Sequence, residues 1–441
     1  MTTDAPSLHA EEIDTPPASG RQWSFAALIG FRLAFCYWLL YCLPGPIIEA
    51  LPGGFYLARP YLTLWHRITP WVAQHVFHLS GMRVTYFLTG SGDTTLDYVQ
   101  NFLFAVIAIL ATLVWSLLDR RRKEYGTLYV WLRILVRFTL ALILFGYGLS
   151  KVIPSQFRPP SAAWLMETYG ESSPMHLLWA FMGASMPYTI FSGVAETTAA
   201  LLLLFRRTAL LGALVAAGVL LNIVMLNFCY DVPVKIYSTN LLLMAVFLLL
   251  PDASRLANVF LLNRASPPAE LSRPQWPRQW MRITARIVWP VLVVFFVAMG
   301  TWAHWKRLQV FGESVKPPVS GAFDVEAVEI NGKPAATVDA ANANWKQIFV
   351  DSNVWMLKKT DGTSNYFWPT YVPRTNSVNL TSANTRSQFR FDYAWQDAQH
   401  LVLTGKLGAE TAVVRLRKID ENQFLLTHRG FHWISEYPFN R

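Results

Sequence analysis

Three residues at the ends of apolar runs have side chains suited to chemistry: Lys151, Asp231 and Lys235. A lysine enclosed in a dry site gives up its proton readily, and a nearby carboxylate opposes that loss. Lys151 and Lys235 are therefore candidate bases or cations, with Asp231 as a catalytic partner. Candidate ligand-binding groups lie close to them in the chain. Asp93 and Asp97 precede one apolar run. Tyr147, Gln156 and Arg158 flank Lys151, Glu171 follows in the next connection, and Asn227 and Tyr230 lead into Asp231. The expectation is an outward-facing polar pocket. The plain alternative is a solvated rim of helix caps, with Asp93 and Thr94 capping the second span.

A second set of charges falls inside apolar runs: Arg32, Arg133, Arg137 and Glu196. A charge in a bilayer is costly, and is paired or functional by default. Counting helical rise from the ends of the runs puts Arg137 and Glu196 roughly 15–17 Å deep and Arg32 roughly 14 Å deep. An Arg137–Glu196 ion pair is expected, with Arg32 or Arg133 beside it, because a bidentate pair removes most of the desolvation cost. Such a pair serves equally as a clamp between helices without chemistry.

Metal and nucleotide chemistry find little support. His66, His75 and His78 share one segment, but no HExxH or carboxylate-rich box accompanies them, so no metal site is assigned and aromatic packing is expected. There is no phosphate loop, nucleophile elbow or dinucleotide fingerprint. The three cysteines, Cys36, Cys42 and Cys229, fit no zinc spacing. Free thiols are expected over a Cys42–Cys229 bridge.

The elements that must hold these groups follow from composition. The chain has 441 residues, 53% hydrophobic and 15% charged, and a mean hydropathy of +0.27. A soluble surface needs about 25% charged residues, so the composition describes a polytopic membrane protein. The net charge of +10 is attributed to cationic loops rather than to nucleic-acid binding. A span needs about 20 apolar residues, and seven candidates meet or approach that: 24–48, 101–118, 127–149, 187–205, 208–228, 235–250 and 284–303. The sixth is short. Residues 61–80, interrupted by Pro70, read as a surface or re-entrant helix. A short interfacial helix is expected near Arg255–Leu262.

Residues 1–22 lack a cationic start and read as a disordered cytoplasmic tail rather than a cleavable signal. With that end inside, the inner connections carry about twice the Lys and Arg of the short outer ones. The membrane domain then covers 23–304. Residues 305–441 form an extracytoplasmic antiparallel β domain, a barrel or sandwich, with hairpin turns at Asn331-Gly332 and Asp361-Gly362. Strands are expected at 323–330, 354–359, 388–395, 400–405, 412–419 and 423–428. The aromatic terminus 429–441 should pack on the barrel mouth or the membrane domain.

The segment GYGLSKVIP at 146–154, followed by GVAETTAALLLLFRRTALLGAL at 193–214, resembles the DoxX/DoxD-like membrane superfamily. That likeness covers roughly residues 125–250. It implies a four-helix membrane core, and the superfamily includes proteins linked to quinone-coupled sulfur oxidation. A helical core with an extracytoplasmic β domain also resembles vitamin K-dependent carboxylase-type membrane proteins, in which a lysine is the base. No local motif matches Lys151 or Lys235 to that lysine.

Two readings remain. In the first, an inner-membrane protein binds a lipophilic small molecule, a quinone or a lipid, with or without redox or transfer chemistry. In the second, the chain is a membrane anchor or assembly subunit presenting its β domain to a membrane or periplasmic protein partner. The lipid bilayer is a partner in both and nucleic acid in neither. A transporter is disfavoured because no inverted repeat of spans is apparent.

Overall fold

Helix ends in this chain are set by polar caps. Ser24 Oγ accepts the Ala27 amide at 3.2 Å and opens α1, Phe25–Cys42. Thr94 and Asp97 form a reciprocal capping box that opens α4, Thr95–Leu118. The structure, a computed structural model, describes residues 22–49, 53–86, 90–170, 172–268, 278–312, 317–334, 344–351, 354–420, 424 and 426. Glu171, the tail 1–21, most of the expected strand 423–428 and the terminus 429–441 lie outside the described residues.

The remaining helices are α2 (Gly45–Glu49), α3 (Gly54–His75), α5 (Gly126–Val152), α6 (Ala162–Leu165), α7 (Pro174–Ala184), α8 (Met186–Leu204), α9 (Ala209–Cys229), α10 (Lys235–Leu249), α11 (Ala253–Phe260) and α12 (Gln279–Gly312). Among the described residues, seven helices are long and apolar enough to cross a bilayer, and each overlaps one of the seven expected spans. The chain is a multi-pass membrane protein. The short sixth span gains length from α11, which follows α10 after one 3-10 turn, so the stretch Lys235–Phe260 reaches 26 residues. Along α4, Ile109, Leu110, Leu113, Val114 and Leu117 are exposed, as lipid-facing positions would be.

Internal packing divides the chain into two units, Met1–Tyr147 with Ala195–Ala298, and Gly148–Val194 with Met299–Arg441. In the first, α1 packs on α4 and α9 on α10. α3 buries a single stripe, Ala58, Trp65, Thr69 and Ala73, against α4, where Trp65 meets Phe104 edge-on at 4.8 Å. The expected interruption at Pro70 does not occur. The helix runs through both Pro60 and Pro70, since a proline removes only one donor and packing of the buried stripe holds the remaining turns.

The second unit contains one closed sheet. Its strands are β1 (Gly321–Ile330), β2 (Lys333–Pro334), β3 (Trp345–Val350), β4 (Trp355–Lys359), β5 (Ser364–Val372), β6 (Ser377–Ser382), β7 (Gln388–Trp395), β8 (His400–Leu407) and β9 (Glu410–Lys418). From β3 to β9 each strand pairs with the next, and β1 pairs with both β3 and β9. The expected β domain is therefore an eight-stranded antiparallel barrel with β2 as a short arm, and not a sandwich. Asn331 and Gly332 both take positive φ, 52° and 76°, the geometry of a tight primed turn. At Gly405 a Cβ would lie 2.3 Å from the Arg390 carbonyl oxygen and 2.5 Å from Phe391 Cδ1, so glycine lets β8 approach β7 closely. The unit also includes 148–194, beyond a cut at 305. Ala162, Ala163 and Met166 pack on Ala322, Phe349 and Ile419 of the barrel wall.

Candidate functional site

One end of the first unit gathers Asp93, Asp231 and Lys235. Asp93 accepts the Lys235 amide at 2.7 Å and the Ile236 amide at 3.0 Å. It therefore caps α10, not α4 as its place in the sequence suggests. Lys235 Nζ bonds Asp231 at 2.7 Å and stands 3.8 Å from Asp93. Asp231 sits at the left-handed φ of 50°, and its side chain is 84% exposed. Asp97 spends one oxygen on the Thr94 amide and hydroxyl, at 2.8 and 2.6 Å. Asn227 is buried and donates to Ser238 Oγ at 3.0 Å, joining α9 to α10. Tyr230 is half-buried just past α9. These residues build the rim, and most of their polar capacity goes to helix ends.

Deeper from that end lies a site that the charged residues did not reveal. Tyr37 Oη meets Asn240 Oδ1 at 2.6 Å and Asn101 Oδ1 at 3.0 Å. Asn240 Nδ2 donates to Asn101 Oδ1 at 3.1 Å and to the Ile236 carbonyl at 3.0 Å. The three come from α1, α4 and α10, each about 7–9 Å inside its helix end at roughly 1.5 Å rise per residue. Among the described residues nothing bonds the Asn101 carboxamide nitrogen. Phenols surround the triad. Tyr41 stacks on Tyr37 with ring centres 6.0 Å apart, Tyr237 lies 6.2 Å from Tyr147, and Tyr41 is within electrostatic reach of both. The charge of the buried Glu196 acts on the Tyr147 phenol. Uncharged asparagines within apolar runs were the available signal.

The intramembrane charges are arranged otherwise than expected. Among the described residues Arg137 reaches no carboxylate. Its guanidinium lies 4.6 Å from the Phe138 ring centre, its Nε has no hydrogen-bond partner, and the charges acting on it are Arg133 and Arg206. Arg133 lies over Tyr129 at 5.9 Å. Every guanidinium nitrogen of Arg32 is engaged without an acid. Its Nε and Nη2 donate to Tyr125 Oη at 3.1 and 2.9 Å, Nη1 donates to Ser116 Oγ at 2.9 Å, and Nη2 also meets the Asp119 carbonyl at 2.8 Å. Tyr125 in turn donates to Asp119 Oδ2 at 2.9 Å. Helical side chains lean toward the N-terminus, so Arg32 extends along α1 to the α4–α5 turn instead of across the bundle.

In the second unit, Lys151 ends α5 and is buried. Ser150 Oγ donates to Gln156 Oε1 at 3.0 Å. Arg158 is exposed, and its carbonyl comes close to Gly183. Beside the barrel wall is a cleft of about 450 Å³. There His176 Nε2 lies 3.3 Å from Glu167 Oε2 and its ring 4.4 Å from Trp164. Neither Glu167 nor His176 stood out as a pair in the sequence. Of the other histidines, His66 packs on Tyr86 and His75 stacks on Trp71, at 4.3 and 4.7 Å. Cys36, Cys42 and Cys229 are free thiols.

Comparison with known proteins gives one informative match. Over 133 residues the chain is 36% identical to the uncharacterized protein YwoB of Bacillus subtilis (strain 168), covering 28% of this chain and 79% of YwoB. The chain belongs to the YwoB family. No family model matches the chain, and no solved structure does. The YwoB name carries no activity, so function rests on the geometry above.

Proposed function

We propose that this chain is a DoxX-like protein of a bacterial-type inner membrane whose helical unit binds the carbonyl-bearing head of a lipophilic small molecule, a quinone in preference to a lipid. The observation that carries the reading is the Tyr37–Asn101–Asn240 triad, whose Asn101 amide donors are left uncommitted. A quinone head offers carbonyl acceptors and flat apolar surface. Carboxamide donors and a group of phenol rings complement both. Glu196, acting on Tyr147, adds one group able to hold a proton beside the head. In this reading the amino terminus is cytoplasmic, the barrel is periplasmic, and the Asp93–Asp231–Lys235 rim faces outward. The scaffold reading has in its favour Tyr366 and Trp368, both exposed on the outer face of β5.

The test is direct. The protein is extracted into native nanodiscs, co-purifying lipophiles are identified by mass spectrometry, and a short-chain quinone is titrated by intrinsic fluorescence. Asn101→Leu should weaken quinone binding by about fivefold to thirtyfold, the loss of one or two neutral hydrogen bonds. Unchanged affinity in that variant, with only bulk phospholipid co-purifying, would sink the proposal.

A further inference from the structure

The barrel has two unlike ends. At the end where residues 317–319 lead into β1, the lumen is plugged. Trp355 Nε1 donates to Tyr371 Oη at 2.9 Å, Tyr371 Oη meets the Val319 carbonyl at 3.3 Å, and Val319 and Phe323 are fully buried. At the end formed by the β4–β5 and β8–β9 turns, the lumen opens into a cavity of about 310 Å³. An eight-stranded barrel is just wide enough to be filled by side chains or to hold one small ligand. This barrel does the first at one end and the second at the other. Native interiors are close-packed, so a barrel serving only as a cap has no use for that space.

The lining states what would fit. Trp345, Phe367, Phe389 and Leu407 are half-buried around the opening, above Leu380 and Leu403. Among the described residues, Lys359 and Asn365 are the polar side chains of the wall, and no carboxylate lines it. Strand alternation puts Lys359 on the same face as the buried Trp355 and Leu357. A lysine turned toward an apolar lumen calls for an anionic partner. Asp361, on the neighbouring exposed turn, is within electrostatic reach of Lys359, but one of its carboxylate oxygens is taken up by the Thr363 amide and hydroxyl, at 2.8 and 2.7 Å, and it does not line the lumen. The volume sits at the small end of ligand sites, roughly 300–1,000 Å³.

We propose that the open end of the barrel binds a small lipophilic acid, a single ring or short acyl chain whose carboxylate meets Lys359 and Asn365 while its apolar part enters the aromatic lumen. This site stands on barrel residues alone and does not depend on the membrane site above.

The full chain in nanodiscs is exposed to a diazirine-bearing octanoic acid, photolysed, and mapped by peptide mass spectrometry. Label is expected on β3, β7 and β8, and excess unlabelled octanoate should suppress it. Lys359→Gln should reduce barrel labelling about tenfold, the loss of one charge-assisted hydrogen bond, and Leu407→Trp should block the opening. Label confined to the membrane helices overturns the proposal. So does barrel label that octanoate does not displace, a result that needs no variant to fold. Equal capture of the octanol analogue overturns it as well.

Discussion

The Asp93 carboxylate accepts the backbone amides of Lys235 and Ile236, so the loop before α4 supplies the cap of α10. A cap lent by a distant segment ties two helix starts together as well as satisfying donors. Asp93→Ala should cost about 1 kcal/mol, within a range of roughly 0.5–2, and Asp93→Asn should retain most of it. Lys235→Met should cost under about 1 kcal/mol, because the carboxylate that Lys235 pairs with on Asp231 is largely exposed. Thermal unfolding in nanodiscs, followed by tryptophan fluorescence, ranks the three.

Arg32 depends on one phenol for two of its hydrogen bonds. Tyr125→Phe leaves Nε and one Nη2 hydrogen buried without an acceptor, while Nη2 keeps the Asp119 carbonyl, and should cost roughly 1–3 kcal/mol. Arg32→Lys should fail to restore stability, since an ammonium cannot span Tyr125, Ser116 and the Asp119 carbonyl as a planar fork does. Amide exchange in residues 116–125 should rise in both variants. Unchanged exchange would remove Arg32 from this role.

Gly193 lies against the last turn of α5. A Cβ there would come within 2.6 Å of the Gly148 carbonyl oxygen and 2.7 Å of Lys151 Cβ. Backbone cannot yield as a flexible side chain can, so Gly193→Ala should destabilise by about 1–3 kcal/mol. The yield of folded protein after detergent extraction should drop accordingly, while Gly218→Ala, with open space around it, serves as a control.

The barrel should have an alkaline limit. Burial pushes the Tyr371 phenol up to about 12, against about 10 in an unfolded chain. Between those values the folded barrel holds a proton that the unfolded chain has lost. Stability is therefore full below about pH 10 and falls as pH rises toward 12. Tyr371→Phe should flatten that slope, at the cost of the Trp355 bond at every pH. Denaturant midpoints of barrel amide exchange at about pH 9 and about pH 11 give the comparison.

The seven spans were legible because each is a long apolar run with few charges, a signal that needs no partner to be read. The barrel was legible only where strands alternate cleanly. β7 matches its expected limits, whereas β5 carries Pro369, which argues against a paired strand, and β6 is a polar six-residue piece. Closure through β1 and β9 is a long-range pairing that no local pattern encodes. Among site residues, the charges drew attention and Asn101 and Asn240 did not. Arg137 and Glu196 share a depth, but depth along a helix does not fix the direction in which a side chain faces. Asn101 and Asn240 acquire meaning only once α4 and α10 lie side by side.

Tyr37, Asn101 and Asn240 enter the bilayer at widely separated moments of synthesis, with the first, second and sixth spans. Until the sixth arrives, Tyr37 and Asn101 have only each other within the triad. Closure of the triad therefore waits on α10: a chain halted before residue 240 lacks the bonds that Asn240 makes to Tyr37 and Asn101.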